Sequence, residues 1–317
     1  MRTSKRRVRK FFTPVAAVAL SLSSGACLAQ TPQSASALIE ASIANANANA
    51  KEAFSYTFHE NEASVLASAS NEAPKPTLPG SKWIIQAFMV NAEWRWSVQY
   101  DVVFIEGIPY RRVTGINGLQ LPPEIAAWES ERYNHTVAAI HALSAEQRQP
   151  LLQKPEGITA IMMDPRQLAS LYSCKITGHA KVEKRPATVI QCKPRHDPTP
   201  ADTAIRAGGP VTLWVDEQQP FFHRTRMVLD HPVNQYGKGT IVTFTWSLID
   251  GVWHQTSTGL DWVGADRTTK HVDMPTSGPQ MNIEQGAQGT VIDTFTNFKK
   301  FRTESRMVIP GFPPPQP

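Results

Sequence analysis

EWRWSVQYDVVFIEG, residues 93–107, decides the fold class. Trp94, Trp96, Val98, Tyr100, Val102 and Phe104 fall on alternate positions, with Arg95, Ser97, Gln99 and Asp101 between them. A period of two sends the first set to one face of a sheet and the second to the other. One face is therefore apolar and strongly aromatic. The chain turns at Glu106-Gly107, and IPYRRVTGI, residues 108–116, reads as the return strand. Arg111 and Arg112 alternate across that strand, so they point to opposite faces and form no single basic patch. One of them is expected to reach helix acids such as Glu129 as a surface pair contributing under ~1 kcal/mol. Asn117-Gly118 predicts a second tight turn, and Pro122 with Pro123 starts a helix.

Working outward, residues 33–53 are Ala-rich with Leu38, Ile39 and Ile43 on helical spacing, which predicts an N-terminal helix that packs on the domain. FSYTFHENEASVLAS (54–68) reads as a first strand, followed by a Pro-rich surface loop. A helical insert over 122–154 carries a drifting apolar stripe of Ile125, Trp128, Tyr133, Val137 and Ile140. It breaks at Leu143-Ser144, where Ser144 caps a second short helix with Glu146 in its first turn. From Leu171 onward strands follow one another closely. Two alternating runs flank a tight turn centred on Glu183, which sets Cys174 opposite Cys192 and favours a cross-strand disulfide contributing about 3 kcal/mol. VTLWVDEQQPFFHRTRMVLD (211–230) predicts two strands about Glu217 to Pro220. GTIVTFTWSLIDGVWHQTSTGLDW (239–262) predicts a hairpin with a primed turn at Asp250-Gly251, and TVIDTFTNFKK (290–300) a last strand. Strands in succession without intervening helices imply an antiparallel sheet with the helices on one side. The expected fold is α+β, mainly β: a curved antiparallel sheet, or half barrel, with the helical insert covering one side.

The first 29 residues have the layout of a secretory signal peptide: Arg2, Lys5, Arg6, Arg7, Arg9 and Lys10, then an apolar run from Phe11 to Leu22, then SSGACLAQ. Cleavage after Ala29 gives a free periplasmic or secreted protein. A lipobox reading gives a lipidated N-terminus at Cys27 instead, against which Ser24 stands where Leu is usual. No segment is long and apolar enough to predict a transmembrane helix. The formal charge of +5 comes from 32 basic and 27 acidic residues; removing the six basic residues of the leader leaves 26 against 27, or −1. With no basic excess there is no footprint for nucleic acid. A single domain is expected over 30–309, with a disordered Pro-rich tail at 310–317.

Sequence motifs for chemistry are absent: no HExxH, GxSxG, CxxC or phosphate-cradling glycine loop. His135 and His141 lack the spacing of two ligands on one helical face, and no metal or other cofactor is expected. Asp216, at a strand end, reads as turn chemistry before it reads as a catalytic acid. Aromatic side chains are the other notable group. Core packing explains any one of them; together, Trp94, Trp96, Phe104, Trp214, Phe244, Trp246 and Trp253 are the candidate lining of an apolar ligand site.

YDVVFIEGIPYRRVTGINGLQLPPE (100–124), ITGHAKVEKRPATVIQCKP (176–194), VTLWVDEQQPFFHRTRM (211–227) and TVIDTFTNFKKFR (290–302) resemble motifs of a group of uncharacterised secreted bacterial proteins. That group is similar in turn to the periplasmic lipoprotein carriers of the LolA and LolB type and to the lipid-sensing domain of RseB-like regulators. The resemblance implies an incomplete antiparallel barrel closed by helices over an apolar cavity, with no catalytic residues and no cofactor. The partner it implies is a lipid or lipoprotein acyl chain, or an envelope protein held by the sheet in a stress or assembly module. The insert from Pro122 to Lys154 is long for a minimal carrier, and no functional residue of the carriers maps onto this sequence.

Overall fold

The computed structural model describes residues 34–67, 73–78, 80–152, 168–195, 208–233, 236–265 and 287–301. The leader at 1–29, with Cys27, and the tail at 310–317 lie outside these residues. In chain order the elements are α1 (Ala35–Ala53), β1 (Tyr56–Ala67), β2 (Phe88–Val90), β3 (Glu93–Ile105), β4 (Ile108–Ile116), β5 (Leu119–Gln120), α2 (Pro123–His141), α3 (Ala145–Leu152), α4 (Leu168–Leu171), β6 (Tyr172–Val182), β7 (Arg185–Pro194), β8 (Val211–Asp216), β9 (Phe222–Val228), β10 (Ile241–Ile249), β11 (Val252–Val263) and β12 (Gln288–Lys300). The strands form one open sheet in the order β5-β4-β3-β1-β12-β11-β10-β9-β8-β7-β6, with β2 alongside β3. Every ladder between these strands is antiparallel.

Primed turns set the registers. Glu106-Gly107, Asn117-Gly118, Glu183-Lys184 and Asp250-Gly251 all have positive φ at both central residues, the backbone that matches strand twist. Asn91-Ala92 makes the same turn between β2 and β3 with a β-carbon at both positions. In the β6–β7 hairpin the turn alone is not enough. Val182 faces Arg185 and Gly178 faces Val189, a register that would carry Cys174 to Lys193. An irregularity at Thr177 shifts the ladder by one, so that Ile176 faces Ile190 and Cys174 faces Cys192. The disulfide closes there, with the Cα atoms 4.0 Å apart.

The inner face of the sheet carries most of the core. Under α1, Leu38 and Ile39 pack on Ile190, Val211, Leu213 and Met227 from the β7–β9 meander. Ser34 caps this helix by accepting from the Ala37 N–H. Its Asn-rich second half is a docking device: Asn45 donates to the Pro220 carbonyl, while Asn49 exchanges two bonds with the Trp253 backbone at 2.7 and 2.8 Å. At the other end Trp96, Val98, Tyr100 and Val113 receive Ile125 of α2, together with Leu78 and Ile85. The Pro-rich segment before β2 is thus not all surface, because Leu78 and Ile85 are buried within it.

The helical insert runs along the β4 edge. Its first turns reach the inner-face cluster through Ile125, and its end packs Tyr133, Val137 and Ile140 on Val103, Ile105, Ile108 and Tyr110. Glu129 accepts from the Tyr110 hydroxyl at 2.7 Å and from the Val113 N–H, and Arg132 donates to the Arg111 carbonyl at 2.7 Å. These two side chains satisfy backbone groups that an edge strand otherwise leaves open. The break and the Ser144 cap occur as the sequence indicates, with Ser144 accepting from the Gln147 N–H.

Two features yield predictions. Reducing Cys174–Cys192 should lower stability by about 3 kcal/mol, and two thiols should titrate only after reduction. His223 is fully buried against Trp253, and burial holds its pKa below the ordinary histidine value despite Glu183 at 3.7 Å. The unfolded chain therefore takes up a proton near pH ~6.5 that the folded chain resists, so stability falls as pH drops below that value. Urea midpoints measured between neutral and mildly acid pH should show a smaller acid loss in His223→Gln than in the parent.

Candidate functional site

The period of two carries β1 residues Glu60, Glu62, Ser64 and Leu66 onto the inner face and His59, Asn61 and Ala63 onto the outer one. Glu60 faces Tyr100 of β3, and Glu62 lies between Val98 of β3 and Asp293 of β12. Glu60 and Glu62 are buried, as are Ser64 and Thr258 beside them. Arg111 starts one strand further out, opposite Val102. Its guanidinium crosses the Tyr100 ring at 4.0 Å, donates to both Glu60 oxygens at 2.9 and 2.6 Å, and reaches Glu62 at 2.7 Å. One oxygen from each of Glu60, Glu62 and Asp293 lies within 4.8 Å of the others.

The electrostatics are unbalanced. Among the described residues, three carboxylates share one guanidinium. Burial pushes the Glu62 carboxyl above its usual range although Arg111 pulls the other way. Burial likewise pushes Asp293 well up, and the neighbouring Glu62 and Glu60 add to it. The Tyr100 hydroxyl is raised by burial first and by Glu62 next. Four buried polar atoms of this region have no hydrogen-bond partner: Asp293 Oδ1, the Tyr100 hydroxyl, and the indole nitrogens of Trp94 and Trp96. Buried polar atoms without partners are uncommon, and each calls for an explanation such as a bound water, ion or ligand.

The seven aromatic candidates divide. Trp96, Phe244 and Trp253 are core residues, each under 5% exposed. Trp253 stacks on Phe221 with centroids 4.7 Å apart. Trp94 and Trp246 are half-buried on the inner face, the latter stacked on Phe244. Phe104 is half-buried with its edge on Phe54, which is itself exposed. Trp214 does not join them. It alternates with the buried Leu213 and Val215, so it points to the opposite face, where Arg224 lies over its ring at 6.0 Å.

The expected pairing of an Arg with Glu129 is also corrected. Arg132, one helical turn along, pairs with Glu129, while Arg111 turns to the buried acids of β1. Asp216 is turn chemistry, as its position suggests. It is fully buried, accepts from the N–H groups of Gln218 and Gln219, and is gripped by Arg185 at 2.7 and 2.9 Å. Burial alone would raise its pKa, but Arg185 and these N–H groups hold it low.

No family model and no curated protein matches the chain. Among solved structures it is similar to a DUF1329 family protein from Desulfovibrio piger, at 10% identity and a TM-score of 0.30 over 84% of this chain and 95% of that one. An outer membrane lipoprotein-sorting protein domain from Vibrio parahaemolyticus gives 8% identity and 0.31 over 84% and 95%. A LolA superfamily protein from Nitrosomonas europaea gives 11% and 0.25 over 81% and 94%.

Removing Arg111 strands two buried carboxylates, a change that typically costs 3–5 kcal/mol. Arg111→Met should lose about that much at neutral pH in denaturant titrations, far beyond the value of a surface pair. Glu129→Gln should lose less, since Tyr110 and Arg132 still have an amide oxygen to bond.

Proposed function

We propose that the chain is an extracytoplasmic, non-catalytic binding protein that holds an apolar ligand, a lipid or lipoprotein acyl chain, against the inner face. One observation carries this reading. Trp94 is half-buried beside Trp96 on the inner face, and the indole nitrogens of both are buried without an acceptor. Indole N–H groups only donate. An acylated molecule supplies both needs, a hydrocarbon chain for the half-buried Trp94 ring and an ester or amide oxygen for the donors. The Cys174–Cys192 bridge fits an oxidising compartment outside the cytoplasm. The leader-like residues 1–29 point the same way.

Organic extracts of the purified protein should contain lipid, and delipidated protein should bind a fluorescent long-chain fatty acid. Burying part of one indole is worth about 1.5–3 kcal/mol, so Trp94→Ala and Trp246→Ala should weaken binding roughly tenfold or more. If no lipid is recovered, no probe binds, and both variants merely lower the melting temperature, the rings are ordinary core.

A second reading, a regulatory or assembly module that holds an envelope protein, is favoured by β2. Phe88, Met89 and Val90 are all exposed, and among the described residues this strand pairs on one side only, with β3. An apolar edge strand is what an extended polypeptide adds to. Envelope extract passed over immobilised protein should then leave one specific polypeptide that Met89→Lys no longer retains. Loss of lipid in that variant would instead tie β2 to the first reading.

A further inference from the structure

We propose that Glu60, Glu62 and Asp293 form a binding site for a hard divalent cation of the calcium type, set in the floor of the inner face where β1 meets β12. Three observations converge. The donor set is right for such an ion, because one oxygen from each carboxylate lies within 4.8 Å of the others and no nitrogen or sulfur is among them. Carboxylate oxygens at this spacing suit calcium, whose bonds to oxygen run about 2.3–2.6 Å. Next, the charge count closes on a dication. Among the described residues the three carboxylates, once ionised, set three negative charges against the one Arg111 guanidinium, where Glu60 and Glu62 are 5% and 6% exposed and burial otherwise favours the protonated forms of Glu62 and Asp293. Buried charge without a counter-charge is strongly disfavoured.

The third observation comes from a residue outside the three acids. The Tyr100 hydroxyl sits on a residue only 1% exposed, in the field of Glu62, Glu60 and Asp293 together, and has no hydrogen-bond partner. Asp293 Oδ1 is likewise buried and unpartnered. A cation with its bound water satisfies both. Arg111 already bonds both Glu60 oxygens and Glu62 Oε2, so the ion takes the remaining lone pairs of these carboxylates from the side of Asp293 Oδ1. It holds Glu60 and Glu62 from the β4 side while Asp293 approaches from β12. The ligands stand on two neighbouring strands of the sheet, which fixes their separation before the ion arrives. The site does not depend on what lies against the tryptophans.

Calcium affinity in exposed extracellular modules runs to a Kd of about 0.1–1 mM, and the same range is expected here. Titration calorimetry and thermal melts of the full chain, with CaCl2 against MgCl2 and NaCl at matched ionic strength, test the proposal. At a calcium concentration about tenfold above Kd the melting temperature should rise by a few degrees, with magnesium weaker and sodium without effect. Asp293→Asn keeps the shape and removes one of three like charges, so it should fold at least as well as the parent without calcium and lose the calcium response. Tyr100→Phe should keep a weakened response. Absence of any calcium heat or shift in the parent overturns the proposal, as does an equal response in Asp293→Asn, which would mark binding to surface acids.

Discussion

The grip of Arg111 on Glu60 and Glu62, laid flat across the Tyr100 ring, is the interaction around which the sheet is organised. β1 lies between the hairpins of the first half and the long meander of the second, and among the described residues the sheet continues from one half into the other only through the β1/β12 ladder. That ladder places Glu62 directly opposite Asp293. Like charges in cross-strand pairs destabilise, so the seam needs an opposite charge from outside it. Arg111 supplies one from two strands away, passing over β3 to do so. The position of β4, and of the helix that guards its edge, therefore matters to a ladder that β4 never touches.

A buried ionic group of this kind is an expensive way to stabilise a sheet, because well-packed apolar side chains usually do as well or better. Its presence on the same face as half-buried indoles makes the inner face two-natured. Toward β10 and β11 Phe244, Leu260 and Trp262 are closely covered core, although buried nitrogens of His223 on β9 and His254 on β11 also lack hydrogen-bond partners. Toward β3 it carries donors and acceptors with nothing to bond.

Much of this was legible in the sequence. Alternation in 93–107, the Asn-Gly and Asp-Gly turns and the succession of strands suffice for an antiparallel sheet, because period and turn chemistry are local properties. The disulfide partners were legible too, although the residue that brings them opposite, the irregularity at Thr177, was not. The candidate site was half legible. Trp94, Trp96 and Trp246 could be placed on a face, whereas Trp214 was grouped by residue type against the phase of its own strand. Glu60 and Glu62 carried a local signal, two acids at alternate positions of one strand face. Their partners did not, since Arg111 and Asp293 arrive from strands about 50 and 230 residues away in sequence, and no local period specifies such a meeting. The Ala-rich composition and the Leu38, Ile39, Ile43 spacing marked α1 as a packed helix but gave no sign that Asn45 and Asn49 also seat it on the sheet.

The position of β12 bears on how the molecule is assembled. Its partner β1 precedes it by a wide interval, from Tyr56 with Lys300 to Ala67 with Gln288. Closing so long a loop is slow relative to forming hairpins, so both halves of the sheet can be in place while the slot between them is still open. During that interval β1 and β11 are bare edges at the middle of the molecule, the kind of surface that pairs with another copy. Two glutamates pointing out of β1 make such mispairing costly. The acids that burden the finished sheet thus guard the unfinished one, keeping the slot free for the strand that belongs there.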